Sequence, residues 1–191
     1  NVFTYLGVVL INWALNAGDL TESLVQIKAQ LGAYDLGHAK VAHRKPYRVD
    51  ANWKLAIESY LECYHCATSH RSYARAHTLK DLEEKSAPVV AKMLERADEI
   101  TGIPGISKEH TTIYLDAPSF GSCAHAMRYG LFDGYVTGTQ DGRPAAPLMG
   151  DIQDYDGGVG DFQLGPLSFM LNYPDHCVLY RFLPKSLTET D

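Results

Sequence analysis

Apolar positions change their period along the chain, and each change marks an expected element. Val2 to Trp13 (VFTYLGVVLINW) is an almost continuous apolar run rich in β-branched and aromatic residues, the pattern of a buried strand. Asn16 to Asp19 forms a turn signal. Asp19 followed three residues later by Glu22 fits a capping box for a helix over Leu20 to Leu31, ended by Gly32. Val41 to Val49 alternates, as a strand with one wet face does. Asp50-Ala51-Asn52 then opens a helix running to about His65. Thr78 to Ile100 has a helical period interrupted by Pro88, which predicts two short helices or one kinked helix.

After Gly102 the pattern turns to strands: Thr111 to Leu115, Cys123 to Gly130, Leu167 to Tyr173 and Cys177 to Leu183. Asn172 to His176 reads as the turn between the last two. Thr137 to Gly160 holds six glycines and two prolines and reads as one long loop, of the sort used as a lid, a binding loop or a mobile segment. Mixed elements followed by antiparallel strands predict an α+β fold with helices packed on one sheet.

Charge narrows the function classes. Seventeen basic against 23 acidic residues leave a net charge of −6, which argues against a nucleic-acid surface. The one basic cluster, Lys40 to Arg48, alternates with apolar residues and reads as the outer face of a strand. Apolar residues at 46% and charged residues at 21% are the balance of an ordinary globular domain. The longest apolar stretch, Val2 to Leu15, is broken by Thr4, Gly7 and Asn12 and is too short to cross a membrane. It also lacks the marks of a signal peptide. The four cysteines, Cys63, Cys66, Cys123 and Cys177, read as reduced thiols of a cytoplasmic protein. Without an initiator Met, and with Leu187 to Asp191 stopping where a hairpin begins, the chain reads as a piece of something longer.

Chemistry concentrates in Asn52 to His70 (NWKLAIESYLECYHCATSH), where Glu58 to His70 alone hold two acids, two histidines and two cysteines. Glu58, Glu62 and His65 fall at i, i+4 and i+7 and share a helix face. His70 lies five residues past His65, about 140° round a regular helix. The two imidazoles converge only if the helix loosens or ends between them, as π-type turns at functional sites do. Two imidazoles with one carboxylate and open positions make the facial triad of non-haem Fe(II) oxygenases. The same histidines also suit a surface or satisfied-core role. Cys63-x-x-Cys66 suits a thiol pair or half a zinc site, and equally two small buried apolar residues.

Asn52-Trp53-Lys54, Glu58, then Glu62-Cys63-Tyr64-His65-Cys66 and His70 closely resemble the catalytic-domain signature of Rieske-type ring-hydroxylating oxygenase alpha subunits. Glu62, His65 and His70 fit the family's Asp/Glu-x-x-His-x-x-x-x-His spacing. Ser59 stands where Asn is frequent. The Glu-Cys-Tyr-His-Cys variant is most similar to the branch acting on choline, carnitine and betaines. The resemblance is specific over about twenty residues and weaker over the rest.

The resemblance implies a helix-grip catalytic domain: a curved antiparallel sheet around a deep pocket, with the iron helix across it. It implies that His65 and His70 bind Fe(II), and that Glu62 relays electrons from the Rieske [2Fe–2S] cluster of a neighbouring subunit in a homotrimer. Glu58 would support the helix. The cluster's two Cys-x-His/Cys-x-x-His ligand pairs are absent, so residues 1–191 are expected to be only a partial mononuclear iron domain. A reductase or ferredoxin would supply electrons, and O2 and a small molecule would be the substrates. The third, carboxylate ligand is expected beyond Asp191, in a helix after the last strands. Asp191 itself reads as part of a rim turn. The activity implied is hydroxylation, or N-demethylation when the carbon is an N-methyl, of a quaternary amine or an aromatic. Tyr129, Phe169 and Tyr173 are candidate pocket walls, since aromatic faces hold quaternary ammonium; singly, each also reads as core. The competing expectation is a helix-grip ligand-binding module without redox activity, separated from the first by iron content.

Overall fold

A computed structural model describes residues 1–15, 21–62, 64–77, 112–115, 124–132 and 134–191. The chain begins with a two-stranded hairpin, β1 (Val2–Tyr5) and β2 (Val8–Ile11). Leu6 and Gly7 both take positive φ, 47° and 86°, the two-residue turn whose twist matches the strands it joins. A side chain at position 7 would put its Cβ 2.3 Å from the Gly37 nitrogen, so the turn requires glycine there. The expected single buried strand over Val2 to Trp13 is therefore this hairpin, and one side of it is wet: Val2, Val9 and Ile11 are 72%, 60% and 57% exposed.

Next come α1 (Thr21–Gly32), α2 (Trp53–Leu61), α3 (Cys66–Ser69) and α4 (Arg71–His77). A five-stranded antiparallel sheet follows, its strands lying side by side in chain order: β3 (Thr112–Leu115), β4 (Ala124–Gly130), β5 (Gly158–Leu164), β6 (Ser168–Asn172) and β7 (Cys177–Arg181). The α+β architecture agrees with the sequence pattern, and helices pack on both faces of the five-stranded sheet. Strand alternation assigns the faces. On β4, Arg128 reaches Tyr34 beyond α1, while its neighbour Tyr129 reaches His77 on α4.

On the first face, Leu24, Ile27 and Leu31 of α1 recur at helical spacing and bury against Ala126, Phe162, Leu164 and Met170. Arg128 crosses this core with its charge held by both oxygens of Asp156, at 2.9 and 2.7 Å, and donates to the Tyr34 hydroxyl at 3.0 Å. On the second face, Tyr60 of α2 packs on Phe169, Tyr180 and Phe182, and α4 packs over Leu131, Val159, Leu171 and Tyr173.

Three further readings need correction. Strand β5 lies at the centre of the sheet, where the sequence pattern showed a loop running to Gly160. Two glycines and an aspartate in GVGDFQL hide its alternation, and its pairing with strands on both sides overrides their weak strand preference. Val41 to Val49 forms no strand. It is exposed throughout, and only Val49 makes a bridge, to Thr190. The segment from Thr137 to β5 is tied down rather than structureless. Asp175, in the β6–β7 turn, accepts from the Thr137 hydroxyl and from the amides of Ala145 (2.8 Å) and Ala146 (3.3 Å). Met149 N–H bonds Pro174 O and Asp151 N–H bonds Ala33 O, both at 2.7 Å.

The expected hairpin at the end is present: Leu183 pairs with Asp191, and Lys185 with Glu189. The expected cap at Asp19, the helical region Thr78 to Ile100, Cys63 and Cys123 lie outside the described residues.

Candidate metal centre

The histidine segment is made of three short helices separated by breaks. Asn52 caps α2, its side-chain oxygen accepting from Lys54 N–H at 3.0 Å, and its amide donates to Leu187 O at 2.9 Å. The helix stops at Leu61 because Glu62 turns to an extended conformation, φ −99° and ψ 145°. The regular helix expected through His65 is thus interrupted before it. Glu62 and His65 still meet, through the turn: Glu62 Oε1 accepts from His65 Nδ1, and Glu62 Oε2 accepts from Tyr64 N–H at 2.6 Å. The His65 contact, first, holds the Glu62 carboxyl below its ordinary pKa against the opposing effect of desolvation, and the Tyr64 amide adds to the lowering. Glu58 stays on α2, exposed, and only its carbonyl joins the turn, accepting from Glu62 N–H.

His65 caps the start of α3 and His70 its end, where the backbone breaks again at φ −130° and ψ 62°. Between the two histidines the backbone stays helical, with Ser69 N–H on His65 O and His70 N–H on Cys66 O, and it leaves the helix only at His70 itself, so the expected loosening lies at the end of α3. The imidazole centres are 5.1 Å apart with their planes at 78°. Two imidazoles bound to one metal at roughly 2.1 Å place their ring centres about 5 Å apart when they subtend a little over a right angle. His65 Nδ1 is occupied by Glu62, which leaves Nε2 for a metal and matches the usual carboxylate–histidine support of ligating imidazoles. The pair therefore fits a metal ion. Among the described residues no third His, Cys, Asp or Glu joins them. Asp191 lies elsewhere, on the closing hairpin, its carboxylate 3.1 Å from Lys185 Nζ. Cys66 is buried at the start of α3 and is not in a disulfide.

An open hollow of about 550 Å³, lined by Thr68, Ser69, His70, Arg71, Ser72 and Tyr73, lies between the end of α3 and the start of α4, with His70 but not His65 on its wall. Tyr73 leads from it to the second face of the sheet. Its ring stacks on His77 at 4.1 Å, and its hydroxyl hydrogen-bonds that of Tyr129. His77 lies between two further tyrosines, with Nε2 2.8 Å from the Tyr173 hydroxyl and Nδ1 3.3 Å from the Tyr129 hydroxyl. Burial pushes the His77 pKa down to about 4, so near neutral pH the ring is uncharged and one nitrogen donates while the other accepts. Of the candidate wall residues, Tyr129 and Tyr173 are thus brought together. Phe169 belongs to an adjoining patch with Tyr60, Tyr180 and Phe182, on the same face.

The sequence reading passed over His77 and Asp161. His77 follows Tyr73 by four residues, one helical turn, a spacing that brings the rings into contact. Asp161 is the only charged residue of β5 and sits on the Tyr129 face, paired in register with Met127 and Leu171. Both signals were readable once α4 and β5 were assigned.

Residues 36–191 match the family model described as ring hydroxylating alpha subunit (catalytic domain). The glycine betaine monooxygenase oxygenase subunit of Pseudomonas aeruginosa is 31% identical over 187 residues, 96% of this chain and 42% of that protein. The subunit of the same name from Chromohalobacter salexigens is 27% identical over 190 residues, 96% of this chain and 40% of that protein. The carnitine monooxygenase oxygenase subunit of Escherichia coli is 35% identical over 72 residues, 37% of this chain and 19% of that protein. The chain spans about two-fifths of the length of the betaine relatives.

Proposed function

Because the chain belongs to the ring hydroxylating alpha subunit catalytic-domain family, we propose that it is the mononuclear-iron part of an oxygenase that hydroxylates an N-methyl group of a quaternary amine. The observation that carries this is the convergence of His65 and His70, with Glu62 on the far nitrogen of His65. The names of the relatives support the substrate class. His65 and His70 would hold Fe(II), and the third, carboxylate ligand lies beyond Asp191. When bound, the iron would supply O2 activation, using electrons from a Rieske [2Fe–2S] cluster outside residues 1–191. Glu62 fixes the tautomer of His65 and, half-exposed at 46%, offers a carboxylate to the cluster domain of a neighbouring subunit in a homotrimer. A reductase or ferredoxin would be the donor. The tyrosine face, under the helices in a helix-grip arrangement, would wall a deep pocket and exclude water from the reacting carbon. A hydroxylated N-methyl group then loses formaldehyde, which leaves the tertiary amine. The cytoplasm, where thiols stay reduced, would be its compartment.

The test uses the full-length protein with a reductase, and follows formaldehyde and iron. A betaine should release formaldehyde as O2 is consumed. His65→Ala and His70→Ala should lose iron. Glu62→Gln should keep iron and fold yet lose nearly all product. Iron retained without both histidines overturns the metal assignment, and normal turnover of Glu62→Gln removes the relay. Turnover of an aromatic acid, with the amines inert, overturns the substrate class.

A further inference from the structure

The second face of the sheet carries one negative charge that no described residue answers. Asp161 sits at the middle of the central strand, and its carboxylate makes no hydrogen bond or ion pair among the described residues. Tyr60, Tyr129, Tyr173 and Tyr180 all lie within its electrostatic reach, from α2, β4, the end of β6 and β7. Its register partners, Met127 and Leu171, are apolar. The basic residue nearest in register, Arg128, faces the opposite side of the sheet and is taken by Asp156. His77, the basic group among these tyrosines, is neutral near pH 7.

A carboxylate on a tyrosine-rich sheet face, with Tyr129 and Tyr173 each two residues along from its register partners Met127 and Leu171 and no cation among the described residues, is an arrangement that a compact cation completes. The ring faces attract the distributed charge of an onium group, and the carboxylate supplies the opposite full charge in a site where water screens it weakly. We propose that Asp161 is the anion that holds the onium head of the substrate, inside a wall formed by Tyr60, Tyr129, Tyr173 and Tyr180. This rests on the quaternary-amine reading above and assigns its selectivity to one residue. Burial, which pushes the Asp161 carboxyl up to about 6, still leaves it ionised at pH 7.5.

The test is binding by the full-length, iron-loaded protein of glycine betaine and of 3,3-dimethylbutanoate, which has the same shape with carbon in place of N⁺. Wild type should prefer the betaine. Asp161→Asn should weaken betaine about 30-fold and leave the neutral-headed analogue within twofold, so that the preference disappears at unchanged iron content. If that variant does not fold, Asp161→Ser carries the same expectation. Equal weakening of both ligands, or betaine bound as in wild type, overturns the assignment of Asp161. If wild type shows no preference for the betaine, the substrate reading itself fails and the anchor with it, whereas loss of iron on changing His65 continues to test the metal centre alone.

Discussion

Replacing Asp161 by Asn should make the protein more stable, and by an amount that depends on pH. Burial raises the Asp161 carboxyl from 3.8 to about 6, which corresponds to about 3 kcal/mol against the ionised native state. The sign follows from proton binding. Between pH 3.8 and 6 the native state holds more protons than the unfolded chain, so stability falls as pH rises through that window and is level above it. Asn removes the charge but leaves a buried amide without a partner, at about 1 kcal/mol. The net gain is about 2 kcal/mol at pH 7.5. At pH 5 about half of the charge penalty is already relieved, and the gain shrinks to about 0.5 kcal/mol. With a urea dependence of about 2 kcal/mol per molar, the midpoint should rise by about 1 M at pH 7.5 and by about 0.3 M at pH 5. Urea unfolding of wild type and variant in parallel, followed by tryptophan fluorescence and far-UV circular dichroism, reads both. An equal offset at the two pH values, or a loss at pH 7.5, would refute the reasoning and place a cationic partner on Asp161.

Three other substitutions test parts of the scaffold. Asp175→Ala leaves the Thr137 hydroxyl and the Ala145 and Ala146 amides without their acceptor and should cost about 3 kcal/mol, with faster amide exchange at Ala145. Burial alone would raise the Asp175 carboxyl, but these donors and His176 more than offset that and hold it low, so its contribution should fade as pH drops below the ordinary carboxylate range. Asp156→Ala strands the buried Arg128 guanidinium and should cost about 3–4 kcal/mol by thermal or urea unfolding. Gly138→Ala would place a Cβ 2.2 Å from the Tyr173 ring, so it should cost about 2 kcal/mol and weaken betaine binding beyond the wild-type range.

How much of this was legible in the sequence differs by element. β4, β6 and β7 show their alternation openly, because apolar side chains occupy at least one face of each. β5 does not: Gly158 and Gly160 remove side chains where the strand passes Gly130 and Arg128, and Asp161 places a charge where an apolar residue was expected. The feature that hid the strand is the feature proposed to bind the substrate. Val41 to Val49 misled in the opposite way, since alternation predicts a strand only where a neighbouring strand offers an edge, and here a single bridge to Thr190 is all that forms. The histidine pair was legible from spacing and resemblance. The end of α3 at His70 was implied by the 140° mismatch, whereas the break at Glu62, ahead of both histidines, required the backbone itself.

The way the second face is assembled also sets an order of events. β5, β6 and β7 are joined by the short connections 165–167 and 173–176, so this meander closes on local contacts. The helices that carry the histidines reach it only across long stretches of chain: His77 meets Tyr173 from 96 residues away. Closing a loop of that length costs about 2–3 kcal/mol more entropy than closing a tight turn. On warming, α2 to α4 should therefore part from the sheet while the meander still holds. The first state populated would be a folded sheet whose metal ligands and substrate wall have come apart. The proposed substrate wall draws on both the sheet and the helices, so a betaine would bind only the closed form and act as a latch on this step, and hydrogen exchange in α4 should slow when it is added while exchange in β6 stays as it was.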